Sequence, residues 1–176
     1  MKQTTLLTFL ALTLAFSNAY AFKKADLEKL IKTKKCSSST FSSCDLEGAT
    51  LKNVNLVGAS LEGANLKGAN LTNVDLSKAN LSEANMSGTT LSKVNFTEAK
   101  LVEANFSGSN LLFVDFTGSE LSDAIMTNTS IKGISFKNAN LEDALLEGTD
   151  LSLANLEGAT GIKDEKCKPG SQGKCL

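Results

Sequence analysis

Four acidic residues, Glu83, Glu103, Asp123 and Asp143, recur at intervals of 20. If residues 20 apart stack, their carboxylates form a ladder with the ~4.8 Å spacing of neighbouring strands. Such a row suits weak divalent-cation binding by oxygen ligands. Glycoside cleavage would further require a carboxyl of raised pKa in a pocket, and a convex corner is a poor place for one. The plainer reading is a solvated acidic edge, where repulsion of about 1 kcal/mol per pair in water is screened by salt. Glu120 and Glu142 lie close to the row in sequence. The chain has no His, which removes Ser and Cys triads of the usual kind, and no nucleophile stands beside a candidate base. The expectation is a chain with no enzymatic activity, no catalytic residue, no cofactor and no firm metal site.

A second group is apolar. Leu112, Phe113, Ile125, Leu145 and Leu153 occupy positions that otherwise carry polar residues or glycine. Scattered exposed apolar side chains are ordinary. The sharper reading is a partner-docking patch or a homodimer contact, because aromatic and aliphatic anchors carry binding energy disproportionately.

What positions both groups is a five-residue repeat, unbroken from Cys44 to Gly158 through 23 quintets. Every quintet has an apolar centre, beginning Leu46, Leu51, Leu56, Leu61 and including Phe96, Phe106, Phe116 and Phe136. Two residues earlier stands a small or β-branched residue; one residue earlier, Asn or Asp in 14 of the 23. Two residues after the centre, 10 of the 13 glycines fall in register and Asn fills four further places. Gly and Asn tolerate left-handed backbone angles, so this position is a corner. A fixed short period means one unit stacked on copies of itself. Val54, Val74, Val94, Val114 and Ile134 are spaced by 20, as are Phe96, Phe116 and Phe136. Four quintets therefore make one coil, and the repeat makes about six coils in a rod roughly 28 Å long.

The unit Ala-(Asn/Asp)-Leu-X-X, as in Ala64–Gly68 and Ala154–Gly158, resembles the pentapeptide-repeat proteins. The resemblance implies an all-β fold, a right-handed quadrilateral β-helix. It covers 115 of the 176 residues. Thr129-Ser130-Ile131 and Ile134-Ser135-Phe136 depart from it in lacking Asn or Asp.

The flanks are of another kind. Residues 1–21 read as a secretory signal peptide: Lys2, an apolar run from Leu6 to Phe16, then Ala19-Tyr20-Ala21 with cleavage after Ala21. The run is shorter than the ~20 residues that span a bilayer, so no stable membrane insertion is expected after cleavage. Residues 22–43 form an N-terminal cap, in which Ala25 to Thr33 is predicted to be a short helix laying Leu27, Leu30 and Ile31 over the first coil. Ser39–Ser43 fits the register and is a candidate 24th quintet. Residues 159–176 form a C-terminal cap with turns at Lys168-Pro169-Gly170 and Gly173. Cys36 and Cys44 precede the solenoid, and Cys167 and Cys175 follow it. In an oxidising compartment an even cysteine count reads as disulfides. The rod separates the two pairs beyond the ~7 Å that a disulfide spans, so the expected bridges are Cys36–Cys44 and Cys167–Cys175. A buried free thiol at Cys44 is the alternative.

Charge then weighs the functional readings. Residues 44–158 hold 15 acids against 7 lysines, net −8, and the chain contains no Arg. The resemblance brings in DNA mimics that bind topoisomerases. Duplex DNA, however, carries one charge per ~1.7 Å of axis, about twice the density of this rod. A signal peptide also directs the chain away from such a target. Direct nucleic-acid binding fits no better, since Phe113 has no interleaved basic partners. The reading is an exported, monomeric, non-enzymatic solenoid, periplasmic or secreted, that serves as a protein-interaction or structural module for a protein partner. The alternative is a divalent-cation- or glycan-binding β-helix using the acidic edge.

Overall fold

The computed structural model describes residues 24–33, 35 and 44–162. Helix α1, Lys24–Thr33, comes first. The chain then winds into a four-sided solenoid. One side holds the strands β1 (Thr50–Lys52), β2 (Asn70–Thr72), β3 (Thr90–Ser92), β4 (Asn110–Leu112) and β5 (Ser130–Lys132). They form a parallel sheet in the order β1-β2-β3-β4-β5, with Leu51, Leu71, Leu91, Leu111 and Ile131 in line. The other three sides are joined by single parallel bridges, also 20 residues apart: the columns run from Asp45 to Leu145, from Asn55 to Asn155 and from Ser60 to Thr160. The four-sided stack read from the sequence is the fold.

Sequence dictates the corner. Every corner residue from Gly48 to Gly158 except Leu153 has positive φ. Twelve of them are not glycine, Phe113, Glu103 and Lys93 included, although a left-handed angle costs an L-residue about 1–2 kcal/mol. Most corners are closed by an amide reaching back three residues, as from Ala49 N to Leu46 O at 3.0 Å. A positive φ at the third residue is what a type II turn requires. The Asn or Asp before each centre supports the same turn: Asp75 Oδ1 accepts from Ser77 N at 3.0 Å and Asn95 Oδ1 from Thr97 N at 2.9 Å. These are Asx turns. Where Ser135 departs from the pattern, its Oγ accepts from Lys137 N at 3.4 Å and keeps the turn. At Asp150 the same arrangement lowers the carboxyl below its usual range, through the Ser152 backbone N–H first and the Ser152 side chain second.

The strand side turns differently. Its corners lead into Val54, Val74, Val94, Val114 and Ile134, none of which donates the closing hydrogen bond. β-branched residues favour extended backbone, and each follows a three-residue strand. At the equivalent place in the last coil stands Ala154. There the closing bond to Leu151 O returns at 2.8 Å, Leu153 loses positive φ, and Asp150 does not extend the sheet. The valines spaced by 20 thus mark the open corner.

Inside, side chains stack as their backbones do. Phe96, Phe116 and Phe136 lie face to face with ring centroids 5.1 Å apart, and Phe106 meets Phe96 and Phe116 edge-on. All four rings are buried. A ladder of buried hydroxyls, which the sequence analysis passed over as small residues, runs along one inner corner. Thr89 Oγ1 and Ser109 Oγ lie 3.0 Å apart, and Met86 O accepts from both. Thr129 Oγ1 donates to Phe106 O, and Thr149 Oγ1 donates to Met126 O. Each buried hydroxyl finds a carbonyl, so none is left unsatisfied in the core.

The ends correct several expectations. Leu27 and Leu30 of α1 are buried with the first coil, but Ile31 is 44% exposed. Two leucines one helical turn apart suffice to cover the coil, and Ile31 lies past the edge of their stripe. Ser60 is bridged to Lys35, 25 residues away. The candidate quintet Ser39–Ser43 lies outside the described residues. The expected bridges Cys36–Cys44 and Cys167–Cys175 are not seen in the described fold, in which Cys44 is the only cysteine. Cys36, Cys167 and Cys175 lie outside the described residues, as do the segments expected to be a signal peptide and to turn at 168–173. Cys44 is buried and disulfide-bonded, which excludes the free thiol. Packing closes the described ends. At the far one, Gly161 occupies a centre position with φ +84°, its Cα so close to the backbone of Leu141 and Glu142 that a Cβ would collide with them.

The ring column gives a direct test. Phe116 touches three other rings, so Phe116→Ala should cost about 3–5 kcal/mol through the lost burial and the cavity. Denaturant unfolding followed by circular dichroism measures this, and a cost below 1 kcal/mol would show that the stack carries little of the stability.

Candidate functional site

Each corner column is a row of side chains from successive coils, held at strand spacing by ladders such as Glu83 N to Val102 O, 2.8 Å, and Glu103 N to Ser122 O, 3.0 Å. Their chemistry differs from corner to corner. One column carries Glu83, Glu103, Asp123 and Asp143, all exposed and all at positive φ between 55° and 60°. The predicted acidic ladder thus has the expected backbone placement. No group of three or more His, Cys, Asp or Glu side chains that could hold a metal ion exists among the described residues. The four carboxylates form an edge open to water, with no cage around a cation.

The predicted apolar patch is divided. Ile125 and Leu145 are bridged on one side of the solenoid, with Ile125 half-buried and Leu145 55% exposed. Phe113 and Leu153 belong to the corner that ends the strand side, two coils apart, with half-buried Leu112 beside Phe113. Gly133 lies between these two corner residues in the column, and the Phe113 ring covers it closely enough that a Cβ on Gly133 would come within 2.5 Å of the ring. The two halves of the patch therefore face different directions.

Sequence reasoning missed a groove along the same open corner. It encloses about 340 Å³ and is lined by Asn53, Val54, Asn55, Asn73, Val74, Asp75, Lys93 and Asn95. Asn53, Asn73 and Lys93 are corner residues; Asn55, Asp75 and Asn95 form the facing column. Asn73 Nδ2 donates to Asn53 Oδ1 at 2.8 Å, and Asn95 Nδ2 donates to Asp75 Oδ1 at 3.2 Å. The floor is Val54 and Val74, whose N–H groups have no hydrogen-bond partner among the described residues. The signal was present in the sequence: valine in place of alanine every 20 residues, with Asn on both sides of Val54 and on one side of Val74 and Val94.

Comparison with known proteins follows from this geometry. Pentapeptide repeats match in eight copies between residues 35 and 160. The chain belongs to the pentapeptide-repeat family. Among solved pentapeptide-repeat structures, Rfr23 from the cyanobacterium Cyanothece 51142 is 26% identical, with 77% of this chain and 92% of that chain covered and a TM-score of 0.45. The protein alr5209 from Nostoc Pcc 7120 is 31% identical, covering 46% of this chain and 66% of that one, TM-score 0.44. QnrB1, a plasmid-mediated fluoroquinolone resistance protein, is 18% identical over 76% of this chain and 86% of that one, with a TM-score of 0.32. No curated protein matches. This pentapeptide-repeat chain is a solenoid module, and no helix among the described residues is long and apolar enough to cross a membrane.

Glu103 tests whether the acidic corner is more than an edge. Its φ of +58° is strained for an L-residue, so Glu103→Gly relieves that strain and the repulsion from its two acidic neighbours in the column, Glu83 and Asp123. Stability should rise by about 1 kcal/mol in denaturant unfolding, with no change on adding millimolar Ca²⁺. A loss of stability that appears only with Ca²⁺ present would restore the cation ladder.

Proposed function

We infer that this pentapeptide-repeat protein is exported and acts outside the cytoplasm as a rigid interaction or structural module. The observation that carries the module reading is the continuous stack itself. Its interior is filled by apolar side chains, and its outer positions present fixed rows of side chains at strand spacing. Such a surface suits recognition by a partner and lacks the convergent acid, base and nucleophile that catalysis requires. Export is supported by the Lys2, Leu6–Phe16 and Ala19-Tyr20-Ala21 pattern. The exposed Leu145 with its neighbour Ile125 is the docking contact we favour for a protein partner, the chain itself remaining a monomer. Net charge of −8 over residues 44–158 gives the solenoid too few charges to imitate a nucleic-acid duplex.

Fractionation of cells expressing the full chain tests export. The protein should be recovered outside the cytoplasm with Phe22 as its first residue, and cytoplasmic protein that still begins at Met1 overturns the export reading. Cross-linking in those cells should yield an adduct that Leu145→Asp removes. An adduct unchanged by Leu145→Asp places the contact elsewhere on the solenoid.

A further inference from the structure

The open corner combines a groove with an exposed aromatic residue. Its groove has polar walls and an apolar floor. One wall is the corner column Asn53, Asn73 and Lys93, and the other is Asn55, Asp75 and Asn95. Two backbone N–H groups on the floor, those of Val54 and Val74, have no hydrogen-bond partner among the described residues, and such groups ordinarily find one or bind water. The next residue along the corner column is Phe113. It is 54% exposed, and its ring lies over Gly133 of the following coil.

Repeat length selects the occupant. Coils recur at about 5 Å, as the 5.1 Å between stacked rings shows, and each coil presents a polar pair across the groove: Asn53 with Asn55, Asn73 with Asp75, and Lys93 with Asn95. An extended peptide advances ~3.3 Å per residue and alternates its side chains, so it drifts out of step with the coils. A nucleic-acid strand needs a run of cations, and this groove has Lys93 beside Asp75. A pyranose unit in an extended β-linked glycan is close to one coil spacing in length. Its equatorial hydroxyls match amide groups that both donate and accept, and its apolar C–H face packs on an aromatic ring. We propose that the groove from Asn53 to Asn95 binds an extended β-linked glycan, one sugar per coil, with the paired polar side chains on the hydroxyls and Phe113, the next corner residue, as the terminal platform. The site lies on a different corner from the acidic row and requires neither export nor a protein partner.

Titration calorimetry of the purified full chain with soluble β-linked glucose and N-acetylglucosamine oligomers of increasing length is the test, with α-linked glucose oligomers as the comparison. Affinity for at least one β-linked series should rise with each added sugar until the groove and platform are filled, then level off. Phe113→Asn and Asn73→Gly both place at the corner a residue that other coils already use in the same column, Asn at 53 and 73 and Gly at 133. Each should weaken binding about ten-fold or more while the melting temperature stays within a few degrees. Absence of binding by every β-linked oligomer at millimolar concentration overturns the proposal. So does equal affinity for α-linked oligomers, or binding that neither variant weakens in a folded protein. None of these results would alter the fractionation or cross-linking outcomes.

Discussion

A left-handed backbone angle at every fifth residue is the constraint on which the rest of the molecule depends. It turns a nearly extended chain through a corner, and four such corners bring residue i beneath residue i+20. Once that return is fixed, the remaining order follows. Backbone amides find carbonyls one coil away, as Leu46 N finds Asn65 O at 2.7 Å, and inward side chains stack on their own kind. The angle is costly for any residue except glycine, yet Lys78, Glu98, Phe113 and eight further non-glycine residues in addition to Glu103 adopt it. The hydrogen bonds of the neighbouring coils over-determine each corner, so an individual residue there is forced into a conformation it would not choose alone.

Much of this was legible in the sequence because the repeat makes local and long-range signals coincide. The Val and Phe intervals gave the number of sides, and the glycine and asparagine positions gave the corners. Legibility failed where the repeat fails. Nothing in the N-terminal flank indicated that Lys35 would pair with Ser60, since that segment has no copies of itself to compare. Ile31 looked like core from helical spacing alone, although the coil beneath offers room only for Leu27 and Leu30.

The site was less legible than the fold, for a related reason. A repeat announces inward positions strongly, because packing constrains them, and outward positions weakly. Thr89, Ser109, Thr129 and Thr149 read as small residues, and only the structure shows them as a hydroxyl ladder satisfying core carbonyls. The groove depends on a hydrogen bond that is missing at the valine corners, and an omission of that kind is not written in any single residue. Phe113 was noticed as exposed, but its position at the end of the groove and its ring against Gly133 emerge only when the coils are stacked.

The stacking interval also sets the unit in which this chain can change length. Removing one quintet leaves every local motif intact and still rotates all that follows by one side. Phe136 would leave the ring column, the buried hydroxyls would meet alanines, and the valine corners would fall out of line. Removing or adding 20 residues preserves every column and changes only the number of coils. The 25-residue step between Lys35 and Ser60 sits at the start of the stack, where only α1 precedes it, and that is where a step of the wrong size does the least harm. Growth of such a protein by duplication should therefore proceed in whole coils, although its smallest repeated motif is a quarter of that length.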